Sequence, residues 1–255
     1  MGSDPQLPAP NSALSNLFAA VRSVLTYLVV SVYVLIAGPL ALAIGVGLKN
    51  KTALYVPGHI GVFLALGLAG IRYRVRGREH IPKGRAVVFC SNHESNVDPP
   101  VLFQALHKRL HVLFKAELTK LPVLGAVMVA GGFVPVERDR REASMASIDR
   151  AAESIRSGNS FLIFPEGTRS RTAELLPFKK GGFIMAIKAE APIVPVAVSG
   201  GRAAMQKGSW FVRPVMVDVK IGAPVETKGM SLDDRDELIE IVRARIQELR
   251  RGLGA

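Results

Sequence analysis

From Ser23 to Leu48 the chain carries no charged side chain, and this uncharged run constrains the fold more than any other feature. It is long enough for about seven helical turns, which at ~1.5 Å per residue would reach across a ~30 Å hydrocarbon layer. Pro39, with Gly38 before it and Gly45 and Gly47 after it, predicts a kink or break near the middle of the run. A second uncharged stretch, Tyr55 to Ile71, includes Pro57, Gly58 and His59 and is short for a full span. Arg22 precedes the first stretch while Lys49 and Lys51 lie between the two, so the basic residues favour neither orientation. A two-helix hairpin entering one leaflet reconciles these features. A cleaved signal peptide does so less well, because the run is too long and ends without a small-residue cleavage site. The chain therefore divides into a polar stretch over 1–11 expected to be disordered, a membrane-anchoring hairpin over 12–71, and a domain over 72–255.

Basic residues exceed acidic ones by 12, yet Met1 to Gly70 contributes only Asp4, Arg22, Lys49 and Lys51, so the excess belongs to the later domain. Such a chain needs an anionic partner, and beside an apolar anchor an anionic membrane surface is the natural one. Nucleic acid is disfavoured, since Trp210 is the sole tryptophan, tyrosines are few and no binding motif is present. Cys90 stands alone, which excludes an internal disulfide and agrees with a reducing compartment and the cytosolic face of a membrane. His59, His80, His107 and His111 have no metal-ligand spacing, and no metal is expected.

After Ile71, β-rich runs alternate with helical ones. Tyr73–Val75, Ala86–Cys90, His111–Phe114, Phe133–Val136, Phe161–Phe164, Ile193–Val198 and Val215–Ile221 read as strands. Pro99–Lys108, Pro122–Ala130, Glu142–Ser157, Lys179–Ala189 and Leu232–Arg251 read as helices, the last opened by Ser231 with Asp234 three residues on. The alternation predicts an α/β domain with a mixed, largely parallel central sheet flanked by helices. In the last helix Leu238, Ile239, Val242, Ile246 and Leu249 form one apolar stripe for the core, while Arg243, Arg245, Arg250 and Arg251 read as a solvated basic face, with lipid headgroups as the alternative.

In such a sheet, reactive residues gather in loops beyond the carboxyl ends of strands. Two loops qualify. The first follows Val87–Cys90 and runs from Ser91 through His93 to Asp98 and Pro99. On an unbroken helix His93 and Asp98 would point apart, but Asp98 suits an N-cap and Pro99 a first helical position, so the intervening residues form a loop that lets imidazole meet carboxylate. A carboxylate so placed fixes the imidazole tautomer and supports removal of a proton from a hydroxyl. The same spacing also suits a plain helix cap beside an incidental histidine. The second loop follows Phe161–Phe164 and reads Pro165-Glu166-Gly167-Thr168-Arg169-Ser170, where Gly167 permits close backbone approach and Arg169 has the geometry to grip a phosphate. Cys90 invites a thiol-nucleophile reading, disfavoured because it lies within an apolar strand.

Together the two loops resemble the glycerolipid acyltransferase family, whose signatures N-H-x-x-x-x-D and F-P-E-G-T-R-S are matched at Asn92–Asp98 and Phe164–Ser170. Gly132–Arg138, Ile193–Ala197 and Lys115–Leu118 resemble further blocks of that family, with Glu137 as a mild departure. The resemblance implies the glycerolipid acyltransferase fold with an N-terminal hairpin, and transfer of an acyl group from acyl-coenzyme A or acyl carrier protein to the sn-2 hydroxyl of lysophosphatidic acid, without a further cofactor. It implies His93 as general base oriented by Asp98, and acceptor binding by Lys115, Arg138, Glu166, Gly167, Thr168 and Arg169, with Glu166 holding Arg169 or a glycerol hydroxyl. Other acceptors stay open, among them glycerol 3-phosphate, a lyso-ornithine lipid or another lysophospholipid, and so does a non-catalytic protein that binds anionic lipid.

Overall fold

The structure, a computed structural model, describes residues 13–48, 52–137, 141–172 and 174–253. The stretch over 1–11, Lys49 and Lys51 lie outside the described residues. Helices α1 (Ala13–Gly47) and α2 (Thr52–Ala69) pack antiparallel, with Gly45 against Leu54 near the tip and Gly61 against Tyr33 further down. Of the kink or break expected at Pro39, the break does not occur, since α1 continues through that residue. The cost of an interior proline, about 3 kcal/mol, is offset by packing on either side of it. The neighbouring glycines serve that packing: Gly38 lies where a Cβ would stand 2.3 Å from Val123, and Gly45 where one would stand 2.7 Å from Leu54.

The burial pattern of α1 is inverted relative to a water-soluble helix. Its buried positions are small, Ala19, Ser23, Thr26, Gly38, Ala41 and Gly45, while Phe18, Leu28, Ile36 and Leu40 stand more than half exposed. Small residues let helices approach closely, and large apolar ones facing outward require an apolar surrounding. Yet α1 touches the rest of the chain at both ends. The Val212 N–H donates to Ser23 Oγ at 2.7 Å, and the Tyr27 hydroxyl donates to the Trp210 carbonyl at 2.7 Å. About 33 Å further along the helix axis from Asn16, which accepts from Arg213, Gly38 meets Val123. The hairpin thus lies along the domain.

The domain is α/β. Strands β1 (Ile71–Arg76), β2 (Val88–Ser91), β3 (Leu110–Lys115), β4 (Val134–Val136), β5 (Ser160–Ile163), β6 (Ile193–Ser199) and β7 (Val215–Ile221) form one sheet in the order β1-β7-β6-β2-β5-β3-β4. Every neighbouring pair is parallel except β6 and β7. The central strands are apolar throughout because both faces are covered, and register pairs Val88 with Phe161, Phe89 with Leu162 and Cys90 with Ile163. One face, with Phe89, Leu162 and Val196, packs on α3 (Asp98–Ala105) and the end of α2 at Leu66 and Ala69. The other, with Val88, Cys90, Phe161 and Ile193, packs on α5 (Arg141–Arg156), α6 (Gly181–Lys188) and α8 (Arg235–Arg251). Helix α4 (Leu124–Ala130) follows β3, and a four-residue α7 (Gly201–Ala204) follows β6. Because β2, β3, β4, β5 and β6 run the same way, their carboxyl ends and following loops share one edge of the sheet.

Candidate active site

At that edge the loop after β2 folds back on itself. His93 Nδ1 donates to Asp98 Oδ2 at 2.9 Å, and the same oxygen accepts the backbone N–H groups of Glu94 at 2.6 Å and Ser95 at 2.7 Å. Asp98 is fully buried. A carboxylate only accepts, so Nδ1 carries the hydrogen and Nε2 keeps its lone pair on the opposite side of the ring. That ring stacks on Phe164 with centroids 4.2 Å apart, which fixes the direction in which Nε2 points. Asp98 is not the N-cap expected from sequence: Val97 occupies that place, and Asp98 is the first helical residue with Pro99 second. Its carboxylate is drawn back to the amides of its own loop, and caps the turn that holds His93. Gly201 makes room for this, since a Cβ there would stand 2.4 Å from Asp98 Oδ1.

Two further residues tie this loop to its neighbours. The Asn92 side-chain amide pairs with the β6 backbone, donating to the Val198 carbonyl at 2.9 Å and accepting from its N–H at 2.8 Å. Glu166 accepts from the His93 N–H at 2.8 Å through one oxygen and from the Leu176 N–H at 2.9 Å through the other. Both oxygens are therefore used, and the side chain is 3% exposed. This corrects the expectation that Glu166 holds Arg169 or a substrate hydroxyl: it pins loops together from behind. Burial raises its pKa above the usual carboxylate value, against the lowering effect of the two amides.

In front of His93 lies a cleft of about 860 Å³, enclosed between the sheet edge and the hairpin. The hairpin contributes Val30, Tyr33, Val34 and Leu54, and the domain contributes Phe103, Phe133, Phe164 and Met128. Besides His93, the lining includes Gly167 and the polar residues Thr168, Arg169, Lys115 and Lys179. Arg169 Nη1 is buried and lacks a hydrogen-bond partner among the described residues. The Thr168 hydroxyl and the Arg169 carbonyl both accept from Lys207 Nζ, at 3.1 and 3.0 Å. Lys115 is half exposed and paired with Glu117 at 3.0 Å. Arg138 lies outside the described residues. Cys90 is wholly enclosed in β2, and burial pushes its thiol pKa far up, so it presents no nucleophile to the cleft.

Behind the dyad sits a charge cluster that sequence reasoning missed. The Glu94 carboxylate, 6% exposed, lies 3.8 Å from Arg202 of α7 and 3.8 Å from Arg250 of α8. Arg250 is buried, which corrects its reading as part of a solvated or lipid-facing basic face. Arg243 also turns inward, donating to the Leu175 and Leu176 carbonyls and lying over the Phe178 ring. Burial first, and the charge of Asp98 second, raise the Glu94 pKa to about 7 despite the two guanidinium groups. No local pattern announces the cluster, since its members come from three separate segments.

Residues 72–199 match the family model described as Acyltransferase, which takes in both loops and the strands that carry them. The chain belongs to the acyltransferase family. Among similar family members is the 1-acyl-sn-glycerol-3-phosphate acyltransferase of Limnanthes douglasii, 33% identical over 186 residues that cover 72% of this chain and 66% of that protein. The human 1-acyl-sn-glycerol-3-phosphate acyltransferase beta is 33% identical over 172 residues, 67% of this chain and 62% of that one. The chain thus spans slightly less than two thirds of the length of these curated relatives. Among solved structures, the 1-acyl-sn-glycerophosphate acyltransferase PlsC of Thermotoga maritima superimposes with a TM-score of 0.78 at 26% identity, covering 92% of this chain and 97% of that one. That likeness takes in most of the chain, beyond the part matched by the family model.

Proposed function

We propose that this chain transfers a fatty acyl group from an acyl thioester, of coenzyme A or acyl carrier protein, to the sn-2 hydroxyl of lysophosphatidic acid, giving phosphatidic acid. The observation that carries this reading is the His93–Asp98 pair, with His93 lining a large, mostly apolar cleft. The similarity to 1-acyl-sn-glycerol-3-phosphate acyltransferases supports the acceptor.

His93 Nε2 takes the hydroxyl proton as the alcohol oxygen attacks the thioester carbonyl. The tetrahedral adduct collapses, the carbon–sulfur bond breaks, and the imidazolium returns its proton to the departing thiolate. Asp98 holds the ring in the required tautomer and balances the imidazolium charge. General-base assistance of this kind contributes roughly 10²- to 10⁴-fold, with positioning in the cleft adding to it. Arg169, one of whose guanidinium nitrogens is buried without a hydrogen-bond partner among the described residues, is assigned to the acceptor phosphate. Lys115, Arg138, Gly167 and Thr168 complete the proposed acceptor site, whereas Glu166 acts by holding the His93 loop. Residues 12–71 are assigned as an anchor in one leaflet of the membrane, at its cytoplasmic face, with 72–255 as the catalytic domain.

The test is phosphatidic acid formation by the purified full-length protein from lysophosphatidic acid and an acyl-coenzyme A. His93→Ala should lose this activity and Asp98→Asn most of it, with thermal stability and vesicle binding close to the parent's. A fully active His93→Ala protein would reject the assignment.

A further inference from the structure

Gly167 has a left-handed φ of +68°, and a Cβ added there would stand 2.7 Å from Cε, 2.9 Å from Cδ and 2.9 Å from Nζ of Lys179. The lysine side chain therefore lies directly over the bare backbone of Gly167, with its ammonium at the turn that leads to Arg169. Its own backbone is fixed there. The Lys179 N–H donates to the Pro165 carbonyl at 2.7 Å, and three residues earlier the Leu176 N–H donates to Glu166 at 2.9 Å. Neighbouring lysines are spoken for: Lys180 pairs with Asp236, Lys188 with Asp149 and Lys115 with Glu117. No partner for the Lys179 ammonium occurs among the described residues. The lining of the cleft thus holds Lys179 and Arg169 with Gly167 beside them, and Arg169 Nη1 is buried without a hydrogen-bond partner among the described residues.

Two cations at one place call for more than one negative charge. A phosphate monoester carries about 1.5 to 2 negative charges near neutral pH, whereas a diester carries one. We propose that Lys179, seated on Gly167, is a further phosphate-binding cation of the acceptor site, acting beside Arg169, and that it sets the preference for a phosphomonoester acceptor over a phosphodiester one. The inference rests on the reading of the cleft as an acceptor site, and it names the headgroup chemistry that the site selects. Gly167 is required for it because any side chain at that position would displace the lysine.

The experiment compares the full-length parent, Lys179→Met, Lys179→Arg and Arg169→Ala, with lysophosphatidic acid and lysophosphatidylglycerol as monoester and diester acceptors. Lys179→Met should raise KM for lysophosphatidic acid by roughly ten- to a hundredfold, mainly through KM rather than kcat, and lower the monoester-to-diester ratio of kcat/KM by a similar factor. Lys179→Arg should recover most of that ratio. Direct binding of lysophosphatidic acid without donor, measured on the same proteins, should weaken in parallel. Unchanged KM and binding in Lys179→Met, beside a clear loss in Arg169→Ala, would overturn the inference and leave the acyltransferase reading standing. A parent that binds lysophosphatidic acid through Lys179 but makes no phosphatidic acid would sink the activity and keep the inference. A parent that neither binds nor acylates it would sink both.

Discussion

One oxygen of Asp98 collects three hydrogen bonds while the other rests against Gly201, at a distance no side chain would tolerate. Gly201→Ala should therefore push the carboxylate and tilt the imidazole it holds. We expect kcat to fall roughly ten- to a thousandfold with little change in acceptor KM, as read by steady-state kinetics beside a thermal melt. Parent-like turnover in a folded Gly201→Ala protein would show that the carboxylate needs no such clearance. His93 and Asp98 were legible in the sequence because both belong to one short loop whose Asp-Pro ending marks a helix start. Gly201 and Lys179 were not, because what defines each is a contact with a distant segment. Glu166 was misread for a related reason: a carboxylate directly after an apolar strand looks substrate-facing, and only the folded chain shows it turned back onto two amides.

Helix α8 was placed well by its periodicity, and Leu238, Ile239, Val242 and Ile246 are buried as its stripe implied. Its opening differs in detail. Asp234 accepts from both the N–H and the hydroxyl of Ser231 at 2.7 and 2.9 Å, closing a turn just before the helix rather than a reciprocal cap. Its far end carries the larger surprise, since Arg250 enters the polar cluster at Glu94. Glu94 binds its proton more tightly folded than unfolded, with a pKa near 7 against 4.5. Folding thus loses stability as pH rises from the lower value through the higher, by about 3 kcal/mol at most. Glu94→Gln should flatten the melting temperature between roughly pH 5 and 8, measured by calorimetry against the parent. An equal slope in both proteins would mean that Glu94 does not titrate in that window. The remaining strands were found to within a residue or two, because runs buried on both faces are apolar throughout. The reversed direction of β7 relative to β6 was not legible, since alternation of elements says nothing about direction.

For the whole molecule, the decisive relation is between hairpin and domain. The sequence gives two apolar segments and the kink signals within them, but not that α1 and α2 lie flush along the domain and wall its cleft. Small residues inward and large ones outward suit an element whose outer face is in lipid while its inner face stays on protein. We expect the hairpin tip to remain on the domain's side of the bilayer. Because Cys90 is the sole cysteine, Cys90→Ala gives a clean background for a cysteine at Leu48. A membrane-impermeant maleimide should label it, if at all, only from the side on which a cysteine in α8 is labelled. Labelling of Leu48→Cys from the opposite side would establish a span.

On the proposed reading, a cleft wall shared between protein and lipid also changes what substrate concentration means. An acceptor already dissolved in the leaflet can drift sideways into the cleft with its chain never meeting water, so supply is counted in molecules per unit of surface. Thinning the acceptor with inert lipid should starve the reaction even when the amount in the tube is held constant.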